Sequence, residues 1–316
     1  MDKRKIIIDC DCGSDDAMAI AMALGDPRYE IMFFTIVSGN VHASQGALNT
    51  LSTLEAAGTY EPPVYIGSTQ PILRELVCAH EPHGEDGMGD IGIVPKRLKV
   101  AEGNGILKML EALRNEPEGT VEIIALGPLT NIALAMRLEP DTMRRVKRIS
   151  VMGTAGLGIG NVSPVAEFNI WQDAEAAKMV LEFGVPLLFV GWDACIDDAM
   201  LMEDEIKALR ESCSLGQFSV DCNRVLMEMN CDRFGSPCLD MADPAAMAAA
   251  LYEECIEACD KYYCEFDVSN GPSYGAMLVD VYHFSGKEPN AWVCSKLKPD
   301  VYKKYIYDTI NKQFEG

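Results

Sequence analysis

The run Ile6-Ile7-Ile8-Asp9-Cys10-Asp11-Cys12-Gly13-Ser14-Asp15-Asp16-Ala17 places four carboxylates within eight residues, directly behind an apolar stretch. An apolar strand that turns at once into a helix is the place where an open α/β sheet binds ligands, at the carboxyl end of the strand. Alternation along the strand sends Asp9 and Asp11 to the same side, and Asp15 and Asp16 fall in the first helical turn, where their charge suits the helix dipole. Two acids there would be caps on a solvated loop. Four like charges in one turn repel unless a cation neutralises them. Oxygen ligands without histidine or thiolate pairs favour a hard cation, and the lack of phosphate-binding glycines weakens a Mg²⁺-nucleotide reading, so Ca²⁺ is the expected ion. An EF-hand does not fit, because the Asp9 to Gly13 run lacks the third oxygen ligand and the closing Glu.

The elements needed to position these acids are legible as alternating short β-rich and longer 3.6-periodic stretches, the signature of a βαβ series with a mostly parallel sheet. Strands are expected at 5–9, 30–37, 64–66, 121–126, 146–152 and 186–190, with helices at 17–24, 43–57, 105–113, 129–138 and 174–183. Gly58 is placed to end the second helix. Beyond about residue 200 the pattern changes to helical stretches near 202–212, 217–230 and 244–259. Short strands near 265–268, 276–282 and 291–295 follow, then a closing helix over 300–314. No linker or repeat divides the chain. The expectation is one α/β domain over residues 1–316, with a Rossmann-like, mostly parallel central sheet, flanking helices and an appended helical and antiparallel section.

At 316 residues the chain can bury a sizeable core. Its 48 acidic against 27 basic residues give a formal charge of −21, which would repel a polyphosphate backbone and argues against a nucleic-acid partner. Met1-Asp2-Lys3-Arg4 leads straight into the first strand, with no signal peptide or apolar span of membrane length, so a cytoplasmic location with reduced thiols and no membrane partner is expected. Of the twelve cysteines, Cys255, Cys259 and Cys264 are spaced by helical steps and none form C-x₂-C halves, which makes them packing residues rather than zinc ligands.

Asp9-Cys10-Asp11 resembles the D-x-D pair of Mg²⁺-dependent aspartyl-phosphatases of the haloacid dehalogenase class, with Asp9 as nucleophile, but that reading gives Asp15-Asp16 no role. The whole loop resembles the D-x-D-x-G-x-D-D hallmark of the inosine-uridine nucleoside hydrolase family, with Cys12 where proline is usual. Further matches run in the family's order: Val37-Ser38-Gly39-Asn40, His83-Gly84-Glu85-Asp86-Gly87-Met88-Gly89, Ala125-Leu126-Gly127-Pro128-Leu129-Thr130-Asn131, Gly160-Asn161-Val162-Ser163-Pro164-Val165-Ala166-Glu167-Phe168-Asn169 with Asp173, Asp243-Pro244 and Asn290-Ala291. The resemblance implies the nucleoside hydrolase fold and cleavage of the base–ribose bond of ribonucleosides, in nucleoside salvage, by a homodimer or homotetramer. It implies Ca²⁺ held by Asp11, Asp16, the Leu126 carbonyl and Asp243, with the ribose hydroxyls and a water completing the shell. Asp11 would take a proton from that water, which attacks the anomeric carbon, with Asn40 beside it. Asp15, Asn161, Glu167 and Asn169 would hold the ribose hydroxyls, Phe168 would offer a ring, and Asp9 and Asp173 would support the site.

The sequence departs from the family at one place. Many members carry His immediately before the distant metal Asp, as proton donor to the leaving base, and here that residue is Ala242. His83 is then the best remaining donor; Arg233 and Asp240 are further candidates, and solvent protonation of a ring-stacked purine is the alternative. His42 and His283 are expected to be structural or exposed, and Trp171 and Trp192 to be core residues. A ribose- or nucleoside-binding protein that has lost turnover is the competing class, although Asp11 and Asn40 together form the water-activating pair a binder would not need.

Overall fold

Ile6, Ile7 and Ile8 are fully buried, because the first strand is covered on both faces. The computed structural model describes residues 3–314; the ends of the expected 1–316 domain, 1–2 and 315–316, lie outside the described residues. The strands are β1 (Arg4–Cys10), β2 (Tyr29–Ile36), β3 (Val64–Ile66), β4 (Val121–Ala125), β5 (Arg148–Met152), β6 (Leu187–Val190), β7 (Leu201–Met202), β8 (Cys238–Leu239), β9 (Ile256–Tyr262), β10 (Cys264–Phe266), β11 (Met277–Val279) and β12 (Ala291–Leu297). The helices are α1 (Ser14–Gly25), α2 (Ala43–Ala57), α3 (His80–His83), α4 (Gly105–Asn115), α5 (Thr130–Leu138), α6 (Pro140–Met143), α7 (Phe168–Gln172), α8 (Ala174–Phe183), α9 (Glu203–Ser212), α10 (Ser214–Cys222), α11 (Arg224–Phe234), α12 (Ala242–Leu251) and α13 (Pro299–Ile310).

Eight strands form one sheet in the order β3-β2-β1-β4-β5-β6-β12-β9, parallel throughout except for β9, which runs antiparallel to β12. The order 3-2-1-4-5-6 is the Rossmann arrangement, and it reverses direction between β1 and β4. Alternation on β1 divides the core in two. Ile6 and Ile8 pack with α1, α2, α12 and α13 on one face, and Ile7 packs with α4, α5 and α8 on the other. The C-terminal section continues this sheet through β12 and β9, so the protein is a single α/β domain of the expected class. Among the described residues no helix is long and apolar enough to cross a membrane.

Two expectations for the C-terminal section are corrected. The helix expected over 217–230 is two, α10 and α11, broken where the Asn223 amide donates to the Ser14 and Ser219 carbonyls, both at 2.9 Å. The helix expected over 244–259 stops at Leu251, and the chain from Ile256 becomes the edge strand β9. Pairing with β12, distant in sequence, overrides the helical spacing of Cys255, Cys259 and Cys264: Cys259 lies on β9 and Cys264 on β10. All twelve cysteines are free thiols.

Candidate active site

A cavity of about 760 Å³ opens at the carboxyl ends of the strands, beside the point where strand order reverses. Asp15 reaches it from the β1–α1 turn, Asn40 from the segment after β2, Leu126 from the end of β4, Met152 from β5 and Trp192 from just after β6. Asp240 comes in from the β8–α12 connection, Asp243 from the first turn of α12, and α11 contributes Arg233.

Asp15 and Asp243 line the cavity, whereas Asp11 and Asp16 do not line it and are fully buried. Asp11, Asp16 and Asp243 are buried, and ligand atoms of Asp15, Asp16 and Asp243 lie within 4.8 Å of one another. Asp16 reaches back to the start of its own helix, where its Oδ2 accepts from Gly13 N at 2.7 Å. Its Oδ1 is buried with no hydrogen-bond partner. Asp11 stands beside this trio; its Oδ2 accepts from Asn40 N at 2.6 Å, and the Asn40 amide spans Asp11 Oδ1 at 3.4 Å and Asp16 Oδ2 at 3.3 Å. Glycine is required around Asp11. A Cβ on Gly39 would sit 2.1 Å from Asp11 Oδ2, and one on Gly127 would sit 2.9 Å from its Cγ.

Burial pushes the Asp11 carboxyl up to about 8, with Asp15 adding repulsion against the Asn40 hydrogen bond. Burial and the neighbouring carboxylates push Asp16 and Asp243 well above the usual range. An orphaned oxygen among crowded carboxylates is stable only with a proton or a cation, and an all-oxygen donor set suits a hard cation. The residues present therefore fit a metal ion.

The other expected site residues also gather here. Asp15, Asn40, His83, Leu126, Asn161, Glu167, Phe168, Asn169 and Asp243 all line the cavity. Several have local duties that sequence alone does not show. Glu167 caps α7, accepting from Asn169 N at 2.8 Å, Thr154 N at 3.1 Å and Ile170 N at 3.2 Å, and burial lifts its carboxyl to about 7. Asn161 is exposed, and its Oδ1 accepts from Phe168 N at 2.9 Å. The Asn169 amide donates to the Leu126 carbonyl at 2.7 Å. His83 Nδ1 accepts from Ser14 N at 3.3 Å, lies 2.8 Å from Ser14 Oγ and is 3.9 Å from Asp15 Oδ1. With Nδ1 accepting, the ring proton sits on Nε2.

Asp9 is held by other partners than Asp11. Its Oδ1 accepts from Thr35 Oγ1 and, at 2.8 Å, from Asn131 Nδ2, tying β1 to β2 and α5. With Oδ1 taken by Thr35 and Asn131, Asp9 supports the site's framework, and the family match does not favour the aspartyl-phosphatase reading. Asp173 is likewise supportive, accepting from Thr130 Oγ1 at 2.6 Å and Ile72 N at 2.9 Å. Trp171 and Trp192 are not core residues alone, because both line the cavity, with the Arg233 guanidinium 5.2 Å from the Trp192 ring centre. Val77, Cys78 and Met229 also line it, and no motif marks them. His42 and His283 are exposed, as expected.

A Rossmann-ordered sheet with a carboxylate-lined cavity at its reversal point defines an α/β enzyme for a small polar substrate, with a site able to hold a metal. The model of the family described as inosine-uridine preferring nucleoside hydrolase matches residues 6–304, and the chain belongs to that family. It is 33% identical over 293 residues to the pyrimidine-specific ribonucleoside hydrolase RihB of Escherichia coli, covering 93% of this chain and 92% of that protein. Its fold is similar to that of the plant nucleoside hydrolase PpNRh1, with TM-score 0.91 and 27% identity over 98% of this chain and 99% of the other. The purine-preferring ribonucleoside hydrolase from Gardnerella vaginalis gives TM-score 0.90 and 25% identity at the same coverage. The protein is a ribonucleoside hydrolase, cleaving the N-glycosidic bond to free base and ribose in nucleoside salvage.

Proposed function

We propose that the hydrolysis is Ca²⁺-dependent, with the ion held by Asp11, Asp16, the Leu126 carbonyl and Asp243, and Asp11 as the base that activates water. The carrying observation is the partnerless Asp16 Oδ1, buried beside Asp15 and Asp243, which line the cavity. When bound, the ion would supply positive charge that orients ribose hydroxyls and acidifies the attacking water. Asp11 is positioned by Asn40 and confined by Gly39 and Gly127, so its carboxylate accepts the proton from water in one orientation. Asp15, Asn161, Glu167 and Asn169 hold the ribose, and Phe168 lies against it. The concentration of negative charge stabilises the oxocarbenium-like transition state.

His83 is the proposed proton donor to the departing base through Nε2, because Ala242 offers no acid. The base lies toward Trp192 and α11; pyrimidine or purine preference is set there. The enzyme is proposed to work as a homodimer or homotetramer of one catalytic domain spanning 1–316, in a reducing cytoplasm that suits its twelve free thiols. The test is free ribose released from a panel of ribonucleosides, with chelator and after reloading with Ca²⁺ or Mg²⁺. Turnover lost to chelator and restored best by Ca²⁺ supports the assignment; full turnover in chelator refutes it.

A further inference from the structure

Away from the cavity, β9 and β12 carry two thiols directly opposite each other, Cys259 facing Cys294 in antiparallel register. Residues opposed in an antiparallel pair have Cα atoms about 4.5–5.5 Å apart, inside the roughly 4.4–6.8 Å that a disulfide spans. Both side chains pack against the same core, on the face shared with α12 and α13, so their Cβ vectors point to one side of the sheet. Cys259 is half-buried on the edge strand and reachable from solvent, and Cys294 is fully buried behind it. This is the order that thiol–disulfide exchange requires: an accessible thiol to attack first and a shielded neighbour to resolve.

We propose that Cys259 and Cys294 form a reversible dithiol–disulfide site that reacts with small disulfides of the oxidised-glutathione class, Cys259 as nucleophile and Cys294 as resolving thiol. The Cys259 thiolate attacks one sulfur of the small disulfide, forming a mixed disulfide and releasing one small thiolate. The Cys294 sulfur then attacks Cys259 Sγ, and its proton and the displaced electron pair leave with the second small thiol. Two protein thiols are oxidised and one small disulfide is reduced to two thiols.

The local electrostatics agree with this division of labour. The neighbouring Cys294 thiol, whose own Sγ donates to the Lys296 carbonyl at 3.9 Å, favours the Cys259 thiolate, against burial and Asp260, with Arg148 assisting and Glu253 opposing. The neighbouring Cys259, with burial and Cys255, pushes Cys294 up. A thiolate next to a protonated partner is the reactive member of such a pair.

The experiment exposes the full-length chain to oxidised glutathione, blocks remaining thiols by alkylation and maps the peptides by mass. A 259–294 cross-link that dithiothreitol reverses is expected. Cys294→Ser should stop at a glutathione adduct on Cys259, and Cys259→Ser should lose the cross-link and leave Cys294 free. The Asp11→Asn variant should cross-link as the parent does, which separates this site from catalysis. Adducts at exposed Cys231 with no 259–294 cross-link would overturn the proposal, as would oxidation of Cys294 at an undiminished rate in Cys259→Ser.

Discussion

Asp16→Asn should change stability in opposite directions with and without metal. Asp16 Oδ1 is buried with no partner, and ligand atoms of Asp15 and Asp243 lie within 4.8 Å. At an effective dielectric constant of about 20, two unit charges at that spacing repel by roughly 3 kcal/mol. Part of that repulsion is already relieved in the metal-free protein, because burial and like charge raise the Asp16 pKa and favour its protonated form. An asparagine keeps an oxygen for Gly13 N and Asn40, and turns an amide donor toward the two acids. The gain in chelator should be about 1–3 kcal/mol. For a domain of this size that is a rise of a few degrees to about 10 °C in Tm.

With Ca²⁺ the order reverses. A parent saturated at about 1,000 times Kd gains roughly 4 kcal/mol, and a variant lacking this ligand forfeits most of it. The pH dependence follows the same logic. A carboxyl whose folded pKa exceeds its unfolded value costs stability as pH rises from the unfolded value through the folded one. The variant's advantage in chelator should therefore widen as pH rises above the ordinary carboxylate range, compared at two pH values. Thermal melts in EGTA and in Ca²⁺ at both pH values are the assay. A variant that melts no higher than the parent in EGTA, or gains as much from Ca²⁺, would falsify the assignment of Asp16.

Gly39→Ala should lower kcat/KM at least 10²-fold, roughly what one misplaced catalytic group costs, because its Cβ would stand 2.1 Å from Asp11 Oδ2; near-parent activity would mean that Asp11 need not be confined. Asp11→Asn should lose about 10²–10⁴ in kcat, whereas Asp15→Asn should act mainly through ribose affinity; equal kcat losses would make Asp15 a metal ligand of the same standing. Ribonucleosides should be cleaved far faster than 2′-deoxyribonucleosides, since a buried site built for the hydroxyl leaves polar groups unsatisfied without it; equal kcat/KM would remove that role from Asp15, Asn161, Glu167 and Asn169. His83→Ala should slow uridine much more than p-nitrophenyl riboside. Burial lowers the His83 pKa, so the cationic ring is lost as pH rises through a value below 6.5, and the parent-to-variant ratio for uridine should fall from about pH 5 to about pH 7. A ratio equal for both substrates would assign His83 to ribose positioning instead.

The sequence by itself determined the chemistry-bearing loop and the sheet around it. An uninterrupted β-branched Ile6-Ile7-Ile8 run fits a doubly covered strand, and the acids that follow then lie at its carboxyl end. The resemblance of the ordered motifs to the nucleoside hydrolase family implied that Asn40, Leu126, Glu167, Asn169 and Asp243 share one site, and the structure brings them to one cavity. Tertiary structure decided what depends on distant partners. Cys255 and Cys259 read as a helix face until β12 supplies the backbone hydrogen bonds that make 256–262 a strand. Asn223 breaks a helix only because the Ser14 carbonyl is there to receive its amide. Asp9 and Asp11 share a side of the strand in the sequence pattern, yet Thr35 and Asn131 capture one and Asn40 the other. Cys78, Trp192 and Arg233 carry no motif, and they join the cavity because the loops and helices that bear them close over it. Hydrogen bonds and packing between residues far apart in the chain leave no periodic trace, so only the folded arrangement could assign them.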